Sequence, residues 1–197
     1  ALSSAASDVY KRQNMLDAGV SIIEESMMAT EAFLKARSGW NAVINADAAI
    51  REATALAEEM SKENILASQA KGNEALAFLE EAQQDFSQAE AAYLSLDLAA
   101  FKAYVAKRIE SQQAALAADE AYLSRNKEEL EAQNSRYNAL EEEAAALAQK
   151  LGEDDPEQIV ALRFYEEIEA DQGAYEAERL KAGNADAFLR EYLGRAS

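Results

Sequence analysis

Cysteine and histidine are both absent from the 197 residues. That excludes disulfides, thiolate and imidazole metal sites, cysteine nucleophiles and every histidine-based general base, along with the Glu-x-x-His pairs of di-iron bundles. It leaves the redox compartment open, because reducing and oxidising locations both tolerate a cysteine-free chain. Proline occurs once and glycine seven times, so few points are marked for breaking a helix. Positive charge is scarce: 19 Lys and Arg stand against 37 Asp and Glu, a net charge of -18, which repels nucleic-acid phosphates and anionic lipid surfaces. No apolar run approaches the ~20 residues that cross a bilayer. A glycine-rich phosphate loop and a Gly-x-Ser-x-Gly elbow are missing too. Exposed helical glutamates have neither the burial nor the close neighbour that shifts a pKa towards acid–base work. The chain is therefore read as not an enzyme and as needing no cofactor.

What remains is rich in Ala, Glu, Leu and Gln, residues that favour helix over strand. The expected fold is all-α, an elongated antiparallel helical hairpin or coiled coil with a helical-bundle base. One stretch is set aside first. Ser3 to Gln13, SSAASDVYKRQ, resembles the in-frame translation of a transposon-end adapter used to prepare DNA libraries. Residues 1–13 are accordingly expected to be a non-native scar. The native chain then begins at Asn14 as a single all-helical domain over 14–197, with any signal peptide, lipid-attachment cysteine or anchor lost upstream.

From Asn14, a helical face is read at Leu16, Val20, Ile23, Met27 and Leu34, with Thr30 in the seam, giving a base helix over about 14–38. Ser38-Gly39 is expected to interrupt it, with Trp40 packed under the elbow or, less simply, stacking on a ligand. The stripe resumes at Val43, Ala46, Ile50, Ala53, Ala57 and Met60. At Gly72 the helix either stops, with Asn73 capping the next, or runs through at ~1 kcal/mol. Leu76, Leu79, Phe86 and Tyr93 continue the pattern to a turn at Ser95-Leu96-Asp97. No glycine or proline then interrupts the chain from Leu98 to Leu151, so one rod of about 80 Å is expected, forming with the preceding stretch a hairpin over about 43–151. Gly152 ends it, and Asp155-Pro156-Glu157-Gln158 supplies a cap, a first-turn proline and a capping-box partner for a second base helix over about 156–182. A short helix over about 185–193 follows Gly183-Asn184.

Two regions stand out for function. Along the middle of the rod, Leu116, Leu123 and Leu130 recur every seven residues, but the other seam positions are Gln112, Asp119, Asn126 and Gln133. Such a stripe packs weakly, fixes register through polar contacts, or offers a half-apolar surface to a partner. A further reading is a Leu and Ala face that drifts around the helix, with the polar residues merely beside it. Gln112, Asp119, Asn126, Gln133 and Trp40 are the candidate partner-contact residues. From Glu128 to Glu178, sixteen acidic residues stand against three basic ones. That run is read as a solvated face or as a docking surface for a basic partner; it lacks the spacing and glycine of a calcium loop.

The leading functional expectation is a non-enzymatic structural or protein-interaction helical protein, a spacer or assembly component with a protein partner or self-association. The alternative is a ligand-binding or sensor bundle of a bacterial cell-envelope protein whose anchor is missing, with Trp40 and tyrosines lining a pocket. An enzyme working through carboxylates alone is the third. Compartment is not specified by the residues.

Overall fold

A computed structural model describes residues 2–182 of the protein. All its regular elements are α-helices: α1 Leu2–Glu58, α2 Lys62–Ala92, α3 Ala99–Leu123, α4 Lys127–Leu151 and α5 Pro156–Ala182. The all-α class and the helical bundle stand. The short helix expected at about 185–193 lies outside the described residues. Among the described residues, no helix is long and apolar enough to cross a membrane. The chain divides into two compact units, one holding α1 up to Thr30 with α5 from Ala161, the other running from Glu31 to Val160.

The Glu31–Val160 unit packs four helices: α1 from Glu31, α2, α3 and α4. Its side of α1 is built from small residues at steps of three and four, Ala32, Ala36, Val43, Ala46, Ala49 and Ala53, all buried, with Gly39 also buried among them. Small side chains let helix axes approach closely, so each buried residue contributes little area but many near contacts. On α2 the matching row is Ile65, Ser68, Gly72, Ala75, Leu79, Ala82, Phe86 and Ala89. The large residues cluster at one end, where Phe86 meets Phe101 at 6.1 Å and Trp40 sets its edge against Phe101 at 5.7 Å and 87°.

Neither suspected glycine breaks its helix. α1 runs through Gly39 and α2 through Gly72, because each glycine leaves room for a side chain of a neighbouring helix: the Phe86 ring at Gly39, Gln112 and Leu116 at Gly72. The expected elbow under Trp40 is therefore absent. The break comes later, at Met60, in the left-handed region with φ 44°. Ser61 follows as the cap of α2, its hydroxyl accepting from the Asn64 amide at 3.1 Å.

The single rod expected from Leu98 to Leu151 is two helices. Ser124-Arg125-Asn126 turns the chain, with Arg125 at φ 57°, and the Asn126 side chain accepts from the Glu129 amide at 3.1 Å to start α4. Side-chain capping and a left-handed residue suffice to reverse a helix without glycine or proline. As a result α4 packs along α3, and Leu116, Leu123 and Leu130 are all half-buried. The boundary before α5 is as the residues specify. Gly152 takes φ 63°, the Gln158 amide donates to Asp155 Oδ1 at 2.9 Å, and the Asp155 amide donates to Gln158 Oε1 at 3.4 Å.

Candidate functional site

The four helices of the Glu31–Val160 unit leave a cleft of about 440 Å³ towards the end that carries the α3–α4 turn. One wall is α1, with Ile50, Ala53 and Ala57. Polar groups come from every helix: Thr54 and Glu58 from α1, Ser68 from α2, Gln112 and Asp119 beside Ala115 and Ala118 from α3, and Asn134, Tyr137 and Asn138 from α4. Two of the five candidate residues thus come together here. Gln112 is 3 % exposed, and Asp119, one heptad on, accepts a hydrogen bond from the Ser68 hydroxyl at 3.0 Å. Burial pushes the Asp119 carboxyl above the usual aspartate range, and the Ser68 bond, which favours the ionised form, opposes it. Burial also raises the Tyr137 phenol; Glu141 adds to the rise and Arg108 works against it.

A polar cluster on the same helices pins their register. Arg108 of α3 pairs with Asp47 of α1 at 2.9 Å and lies 3.8 Å from Glu141 of α4, and it donates to the Tyr104 hydroxyl at 3.0 Å. Buried Ser111 donates to the same Glu141. Three helices are tied by one guanidinium, whose fork suits several acceptors at once.

The other candidates lie elsewhere. Asn126 is spent on capping α4 and lines a separate cleft of about 430 Å³ beside Lys62, Arg125 and Lys127. Gln133 donates to Glu129 of its own helix at 2.7 Å. Trp40 packs on Phe101. Ser68, Asn134 and Asn138 were not singled out from the sequence; their signal is faint, since serine and asparagine are ordinary on solvated helix faces. Among the described residues, no group of three or more acidic side chains is placed to hold a metal ion.

The unit made of α1 up to Thr30 and α5 from Ala161 shows a different feature. Here α1 buries Met15 and Ala29 together with Gly19, and its Ser21 hydroxyl donates to Asp171 of α5 at 3.3 Å. At 100° per residue, the stripe read from the sequence lies about 110° away around the helix. It faces outward: Val20 is 53 % exposed, Ile23 63 % and Met27 70 %, with Leu16 half-buried. The expectation that this stripe is the packing face of the helix is corrected. The seam instead joins Met15 to the small residues Gly19 and Ala29, and Val20, Ile23 and Met27 are left outside it. On α5, Leu162 and Tyr165 are exposed as well.

Comparison with family models, with curated proteins and with solved structures finds no match.

Proposed function

We propose that the protein is a non-enzymatic interaction protein, an assembly component that docks a partner helix on the outer face of α1. The observation that carries this reading is the row Val20, Ile23 and Met27, three large apolar side chains at helical steps of three and four, all exposed. Leaving such a side chain in water rather than burying it forgoes about 1.5–3 kcal/mol. Contiguous exposed apolar surface of this kind marks sites of association. The tightly packed Glu31–Val160 unit suits a rigid scaffold, since its helices are held by small-residue contacts and the Arg108 cluster rather than by loops.

A ligand-binding reading draws on one observation, the cleft at Gln112 and Asp119, whose mixed donors and acceptors suit a small polar molecule. Of the aromatics expected to serve that reading, Tyr137 lines the cleft and Trp40 does not.

The test is the combined variant Val20→Gln, Ile23→Gln, Met27→Gln. If the row is a docking face, the variant melts within a few degrees of the parent and binds less of a hydrophobic surface dye. A loss of about 3 kcal/mol or more in denaturant melts would show that the protein's own chain covers the row, and the docking reading would fall.

A further inference from the structure

We infer that the occupant of the outer face of α1 is a cationic amphipathic helix of another protein, with apolar residues at steps of three and four and Lys or Arg along the edge that meets Asp17 and Glu24. This rests on the docking reading above and adds the chemistry of the partner.

From Asn14 to Thr30 the charged residues are Asp17, Glu24 and Glu25, with no Lys or Arg. Asp17 and Glu24 are exposed. They are seven residues apart, so they stand in one row two turns long, on the side of the Val20, Ile23 and Met27 stripe away from the buried Gly19 and Met15. In paired helices, the positions flanking an apolar seam meet the partner's flanking residues and set which partner is accepted. A row of carboxylates there selects cations.

The same charges disfavour the other occupants. A second copy brings its own Asp17 and Glu24 and a net charge of -18, and like charges facing across a helix pair destabilise it. A lipid surface is approached by helices with Lys and Arg on the polar face, which this segment lacks. The neighbouring part of α5 adds negative charge: Glu166, Glu167, Glu169 and Asp171 accompany one nearby cation, Arg163, already paired with Glu166 and Glu167 at 3.1 and 2.5 Å.

The experiment uses the full chain and two synthetic helical peptides about three heptads long with identical Ile and Leu seams, one flanked by Lys and one by Glu. Fluorescence anisotropy should show the Lys-flanked peptide binding about tenfold tighter, from two new ion pairs at the seam, with the preference shrinking in high salt. Asp17→Lys with Glu24→Lys should reverse it, and Val20→Gln, Ile23→Gln, Met27→Gln should abolish binding of both. Equal binding of the two peptides overturns the inference of a cationic partner and leaves the docking reading standing. Binding of neither overturns the docking reading itself. Binding of the Lys-flanked peptide that survives the triple variant places it on other acidic surface and overturns the inference. Dimerisation in light scattering that is lost with Ile23→Gln assigns the face to a second copy, and overturns it too.

Discussion

Phe86 Cε1 lies 2.7 Å from the point where a Cβ on Gly39 would stand. α1 and α2 therefore meet ring against backbone, at a distance that only glycine permits. Alanine gains about 1 kcal/mol in helix propensity over glycine, but the ring is rigid and Asp85 Cβ stands 3.2 Å from the same point. We expect Gly39→Ala to destabilise the protein by about 1–2 kcal/mol net, measured by urea unfolding. Gly72→Ala should cost less, since its new Cβ meets Gln112 Nε2 and Leu116 Cδ2 at 2.8 Å, both ends of side chains that can swing aside.

Arg108 holds Asp47 and lies beside Glu141 with 13 % of its side chain exposed. Arg108→Gln leaves both carboxylates without that cation, and we expect a loss of about 2 kcal/mol, lower than for a fully buried pair because the acids reach water. Asp47→Asn should cost less than half of that. A double-mutant cycle between Arg108 and Asp47 checks the coupling.

Two substitutions in the α3–α4 turn should act in opposite directions. Asn126→Ala removes the cap on the Glu129 amide and should cost about 1 kcal/mol. Arg125→Gly relieves a left-handed backbone at φ 57° and should stabilise by a few tenths to about 1 kcal/mol. If both destabilise equally, the turn is held by something other than its backbone.

Asp119 carries a carboxyl whose folded pKa is raised by burial. The folded state then binds this proton more tightly than the unfolded chain, so stability falls as pH rises from the ordinary aspartate range through the folded value. Asp119→Asn keeps an acceptor for Ser68 and removes that dependence. We expect the variant to be as stable as the parent or more so at neutral pH, with the difference closing towards pH of about 4, followed by thermal melts across pH. A parent that loses stability relative to the variant on acidification would reverse the sign and refute the assignment.

The restart before α5 was legible in full, because Asp155, Pro156 and Gln158 act within one turn and need no knowledge of the rest of the chain. The α3–α4 turn was not, although Asn126 with Glu129 three residues later is a capping pattern. The Leu116, Leu123 and Leu130 register passes through the turn unbroken and masked it. The face of α1 misled for a related reason: large apolar residues rank highest by transferable area, whereas apart from Met15 and Val43 the helix buries Ala and Gly, which allow close approach. For the candidate site, Gln112 and Asp119 were visible as polar residues in a seam. That Ser68, Asn134 and Asn138 complete their surroundings follows from helix pairing, which one sequence does not display.

In the Glu31–Val160 unit consecutive helices lie against one another, α1 on α2, α2 on α3 and α3 on α4, and only Trp40 with Phe101 and Asp47 with Arg108, among the pairs described above, reach past a neighbour from α1 to α3. Chains whose touching residues are near one another in order spend little entropy on closing long loops, and helical bundles of that kind fold in about microseconds to milliseconds. As the chain is made from its N-terminus, α1 and α2 are free to pair before α3 and α4 are added to them.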